Sequence, residues 1–95
     1  MKYCVGVLRV TLHLPHSHSL KERRSAVSSA KERLKSKFNL SIFEEPTESW
    51  QICNLAIACV GESETRVDQA LRNSLNELEK DDRLSVLSPS VEYYV

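Results

Sequence analysis

The chain has 95 residues, of which 41% are hydrophobic, and its 13 Lys and Arg balance its 13 Asp and Glu. That length suits one domain over residues 1–95 around one core, hiding roughly 60 to 70% of the unfolded surface, and leaves no room for a second. The longest apolar run, Leu55–Val60, falls far short of the ~20 residues of a membrane helix, and the N-terminus alternates where a signal peptide would be uniformly apolar. The expectation is therefore a soluble, cytoplasmic protein with no membrane partner.

From Tyr3 to Leu14 the chain alternates, with Cys4, Gly6, Leu8, Val10, Leu12 and Leu14 on one side and Tyr3, Val5, Val7, Arg9, Thr11 and His13 on the other. Period two predicts a strand whose even positions face the core, and Pro15, which cannot donate to a ladder, closes it. Ser17 or Ser19 can then cap a helix, and Glu22, three residues after Ser19, completes a capping-box pattern. The helix should run from about Leu20 to Phe38. At 100° per residue Leu20, Val27, Ala30, Leu34 and Phe38 share one arc, Lys21, Arg24, Lys31 and Lys35 line its edge, and Arg23 falls inside it with no local explanation.

After Asn39 the period returns to two: Leu40, Ile42 and Glu44 alternate with Ser41, Phe43 and Glu45 in a second strand, which ends at the polar turn Pro46–Ser49. Trp50–Val60 predicts a third strand. One of its faces carries Gln51, Cys53, Leu55, Ile57 and Cys59 and the other Trp50, Ile52, Asn54, Ala56, Ala58 and Val60, so both sides should be covered. Gly61 ends it. Ser63 can cap a second helix, with Val67, Ala70, Leu71, Leu75 and Leu78 at helical spacing to about Glu79. Leu84–Val95 is a last extended segment, which Ser88-Pro89-Ser90 marks as an edge or bulged strand.

The order β-α-β-β-α-β is that of an α+β ferredoxin-like sandwich, a four-stranded antiparallel sheet with two helices on one face. Right-handed crossovers put the first and third strands in the middle. The other face would then carry Val5, Val7, Ile52, Ala56 and Ala58 in its centre, an apolar patch that a monomer seldom leaves wet, with Arg9 projecting beside it. A homodimer, or a larger homo-oligomer, packed through these residues is expected.

Charge is distributed unevenly. Residues 1–39 hold nine Lys or Arg against two Glu, a net +7, and residues 40–95 hold four against eleven acids, a net −7. Seven cations of the first helix against Glu22 and Glu32 leave it at +5. With the free N–H groups and positive dipole end of its first turn, the helix offers Ser19, Lys21, Arg23, Arg24, Lys31 and Lys35 as candidate contacts to structured or ribosomal RNA. The plainer alternative is a solvated helix face, or one docked on an acidic protein surface. Reading of single-stranded RNA by stacking on the sheet is not expected, because the central strands lack aromatics except Tyr3 and Trp50 at their ends. Arg9 suits an intersubunit ion pair with Glu44 or Glu92.

His13, His16 and His18 have a spacing that invites a zinc or nickel site, but Pro15 turns the chain between them and no metal or cofactor is expected. Cys4, Cys53 and Cys59 match no redox or zinc spacing and read as buried thiols. The loop after the first strand has no glycine to cradle a phosphate, and no cysteine or serine has an adjacent base in sequence, so a binding role rather than catalysis is expected.

Val5–Val10, Leu12-His13-Leu14-Pro15, His18–Arg24 (HSLKERR) and Trp50-Gln51 together resemble the YlxP-like family of small, uncharacterised bacterial proteins over nearly the whole chain. The chain departs from that family's pattern in having Arg23 where Lys is common and Phe43 where a small residue is usual. The resemblance implies the same fold. It also implies a link to translation, since YlxP-like genes often lie beside those for transcription, translation-initiation and ribosome-maturation factors, and it implies no catalytic residues.

Overall fold

The computed structural model describes residues 1–94 and holds β1 (Cys4–His13), α1 (Leu20–Lys37), β2 (Leu40–Glu44), β3 (Ile52–Gly61), α2 (Glu64–Glu79) and β4 (Ser85–Tyr94). The strands form one antiparallel sheet in the order β2-β3-β1-β4, with both helices on one side. This is the ferredoxin-like arrangement expected from the chain order. No helix among the described residues is long and apolar enough to cross a membrane.

Alternation along β1 and β3 sorts the side chains. Leu8, Val10, Leu12, Cys53, Leu55 and Ile57 point to the helices and are buried with Val27, Ala30 and Leu34 of α1 and Val67, Leu71 and Leu78 of α2. Gly6 lies where α2 comes closest: a Cβ there would meet Val67 Cγ1 at 2.5 Å and Leu71 Cδ1 at 2.9 Å. Only a residue without that carbon allows the approach.

Each helix begins where a serine caps it. Ser19 Oγ accepts the Glu22 N–H at 3.1 Å, and Ser63 Oγ accepts the Arg66 N–H at 3.2 Å. α1 ends one residue earlier than the sequence suggests, with Phe38 as its C-cap in extended conformation. In α2 the buried stripe includes Ser74, whose hydroxyl donates to the Ala70 carbonyl at 2.8 Å; that bond lets a polar residue sit in the core. Ala70 and Leu75, expected on the same stripe, are only partly buried.

Two strand boundaries differ from expectation. β3 starts at Ile52, not Trp50, because Ser49 Oγ accepts the N–H groups of both Gln51 and Ile52, at 3.2 and 3.0 Å, and holds the chain in a turn there. Trp50 is left exposed. β4 is both an edge strand and bulged: its pairing with β1 shifts between Arg9 and Thr11, and Ser88 takes φ 50° beside Pro89. The expected end of this strand, Val95, lies outside the described residues.

Candidate binding surfaces

α1 meets acidic residues on both of its flanks. Toward α2, Arg33 binds Asp81 at 2.9 Å and Lys37 binds Glu77 at 3.0 Å. Asp81 also accepts from the backbone and guanidinium of Arg83, and these bonds hold its carboxyl far below the usual range. Toward β2, Lys31 binds Glu44 at 3.0 Å. Glu44 also accepts from the Cys53 thiol; burial first, then this carboxylate, pushes the thiol up to about 12. Cys53 is therefore a protonated core residue at neutral pH.

Arg23, expected among the surface cations, is corrected to a buried residue, 3% exposed. Its Nη1 donates to the carbonyls of Thr47 and Ser49 at 3.1 and 3.0 Å, and its Nε has no partner. One guanidinium nitrogen donating to two carbonyls explains a cation in the apolar arc: Arg23 pins the β2–β3 loop onto α1. The sequence signal was the arc position itself, together with a polar loop whose backbone groups needed donors.

The start of α1, expected as an anion site, carries a carboxylate of its own chain. Glu22 Oε2 accepts the His18 N–H at 2.7 Å and lies 3.4 Å from the Ser19 hydroxyl, so the first turn already has its carboxylate. Gln51 Nε2 donates to the Pro15 and Ser17 carbonyls, fixing the loop ahead of the cap. Lys21, Arg24 and Lys35 are left: all are exposed, and none has an acidic partner among the described residues. They fall within about 60° of arc and span about 21 Å of helix.

The second surface is the sheet face away from the helices. Val5, Val7, Ala56 and Ala58 are half-buried along its centre, and Phe43, Ile52, Val60, Leu87 and Tyr94 are exposed around them. Arg9 lies midway along it, 3.9 Å from Glu92 of the same chain, which also accepts from the Tyr94 hydroxyl. Glu44, expected as a possible partner for Arg9, is on the opposite side of the sheet with Lys31. Thr11 donates to Asn54 Oδ1 at 2.7 Å and Asn54 donates to Glu45 at 3.0 Å, forming a polar row across the face. Beside that row, between Phe43 and the β4 bulge, is an open depression of about 360 Å³ floored by Ala56. Exposed Phe43, Leu87 and Tyr94 on this face could not be placed from the sequence, because the bulge resets the side-chain parity of β4 and Phe43 shares the patch only through the β2–β3 register.

Among the described residues, no three His, Cys, Asp or Glu side chains gather as metal ligands. The solved structure of a de novo designed protein, Foldit4, superposes with a TM-score of 0.56 at 13% identity, covering 99% of this chain and 98% of the other, which shows the fold alone. No curated protein matches the chain. Residues 5–91 match the family model described as Protein of unknown function (DUF503).

Proposed function

The chain belongs to the DUF503 family, and from that premise we propose that it is a cytoplasmic, non-catalytic binding module whose working surface is the open face of the sheet. The carrying observation is the exposure of Phe43, Ile52, Val60, Leu87 and Tyr94 around the half-buried Val5, Val7, Ala56 and Ala58. Exposed apolar surface grouped on one sheet face marks an interaction site. The YlxP-like motif His18–Arg24 falls inside the matched residues and is compatible with the family.

The test is the native mass of the protein in cell extract, wild type against Ala58→Glu. The wild type should migrate above the 10.8 kDa of one chain, and the variant, with a charge in the centre of the face, as a free domain with unchanged circular dichroism. A wild type that runs as a free domain in extract overturns the proposal.

A second reading, structured or ribosomal RNA held by α1, is favoured by one observation: Lys21, Arg24 and Lys35 form a stripe with no acidic partner among the described residues. Three phosphate contacts would give a salt slope that falls by about one unit for each cation changed to Glu. RNA affinity and slope unchanged by Lys21→Glu, Arg24→Glu and Lys35→Glu would sink this reading.

A further inference from the structure

We infer that the occupant of the open sheet face is a second copy of this chain, stacked about a two-fold axis that runs parallel to the strands between β1 and β3. The inference rests on the open face being the binding surface and goes further by naming the partner and its orientation.

The shape of one copy is that of a domain short of a layer. Its accessible surface is 6060 Å², against about 5,500 Å² for a folded monomer of its mass. Its radius of gyration is 13.5 Å, against about 12 Å for a chain of its length. Three ten-residue strands and the five-residue β2, at ~4.8 Å spacing and ~3.3 Å rise, give the face a footprint of about 550 Å². With side-chain relief, that approaches the ~800 Å² per partner of a standard stable interface.

The pattern on the face says what fits it. Read across the strands, its rows are Val60, Val5 and Tyr94; then Ser41, Ala58, Val7 and Glu92; then Phe43, Ala56, Arg9 and Ser90; then Asn54, Thr11 and Leu87; then Ile52 and His13. A two-fold interface must match its own surface. An axis along the strands keeps each row in register with itself and exchanges β1 with β3. Val5 then covers Val60 of the second copy, Val7 covers Ala58, and the Thr11–Asn54 pair meets the same pair, so apolar rows meet apolar rows and hydrogen-bonding groups meet their like.

Arg9 lies over the small Ala56 of the second copy, within side-chain reach of that copy's Phe43 ring and Glu45. This gives the guanidinium a cation–π and carboxylate environment and fills the depression beside the bulge. An axis across the strands through the Arg9 row would stack Arg9 on Arg9, and the like charges exclude it. Arg9, Glu45 and Glu92 leave the face close to neutral, as self-association requires, whereas a strongly acidic or basic partner would need a face of one sign.

The test uses the purified chain and two variants, Val7→Lys and Ala58→Glu, by light scattering at micromolar concentration. The wild type should have twice the mass of one chain, and each variant alone the mass of one. An equimolar mixture should return to the doubled mass, because the stated axis puts each new lysine against the glutamate of the other variant. That recovery also shows that both variants are folded.

A wild type that is monomeric when pure but of high mass in extract overturns the second-copy inference and leaves the binding-face proposal standing. A doubled mass for the wild type with no recovery on mixing overturns the axis. A doubled mass unaffected by either substitution overturns both the inference and the binding face.

Discussion

The helix-covered face of the sheet carries Leu8, Leu12 and Ile57 at no more than 1% exposure, while the opposite face leaves Phe43 at 60% and Val60 at 53%. Both faces come from the same strands, and the open one, though interrupted by Arg9, Thr11, His13 and Asn54, still carries Val5, Val7, Ile52, Ala56, Ala58 and Val60. What separates them is the cover: α1 and α2 close one face, and among the described residues nothing in the single chain closes the other. Apolar residues on both sides of a central strand therefore report that both sides are meant to be covered, not that one chain supplies both covers. The same contrast recurs on α1, where the flank toward α2 is neutralised by Asp81 and Glu77 and three cations of the outer flank have no counter-charge among the described residues.

The comparison breaks most visibly on the covered side. Leu12 is fully buried between the sheet and the helices, and Leu12→Ala should cost about 3 to 4 kcal/mol through lost transfer energy and the cavity left behind. The urea midpoint, read with an unchanged m-value, measures it. A loss below about 1 kcal/mol would mean that the two faces are not distinguished by packing.

Asp81 gives a smaller effect with a pH signature. Its side chain is 5% exposed and joins Arg33 of α1 to Arg83 ahead of β4. Asp81→Asn should cost about 2 kcal/mol at neutral pH, as a charged hydrogen-bond acceptor is lost from a nearly buried position. Folding lowers the proton affinity of this carboxyl below its unfolded pKa of about 3.9. Its contribution is therefore complete above that value and is lost as pH falls through it toward the folded pKa. Wild-type stability should fall more steeply than that of Asp81→Asn as pH drops below about 4, and the two curves should converge. Parallel curves would place the clasp outside the folding balance.

The sequence carried the fold because its signals were local and consistent: period two in β1 and β3, serine caps before both helices, and Pro15 and Gly61 as punctuation. It carried the surfaces less well, since each depends on contacts distant in sequence. Arg23 stands out in the apolar arc without a local reason, and only the return of the loop at Thr47 and Ser49 makes it an internal donor. Lys31, Arg33 and Lys37 looked free until β2, α2 and the turn after it brought Glu44, Asp81 and Glu77 alongside. The +7/−7 asymmetry is in large part the fold pairing its own halves. Residues 5, 7, 56 and 58 were found on the open face because strand parity alone puts them there, whereas Leu87 and Tyr94 depended on a bulge whose position the sequence marked and whose register it did not.

The smallest effect on folding should come from the open face, and it sharpens the comparison most. Val60 is exposed in one copy, so Val60→Ser should change the stability of dilute, monomeric protein by no more than about 0.5 kcal/mol, the range of ordinary surface substitutions. In the stacked pair it covers Val5 of the second copy, and the contact occurs twice by symmetry. Losing about 1 kcal/mol of apolar burial at each occurrence weakens the dimer by about 2 kcal/mol, roughly 30-fold in Kd. Unfolding at nanomolar concentration and sedimentation at micromolar concentration read the two quantities separately. A residue silent in the first and costly in the second contributes to association and not to the fold. Equal small effects in both would instead make Val60 an ordinary exposed valine and move the interface away from that end of the sheet.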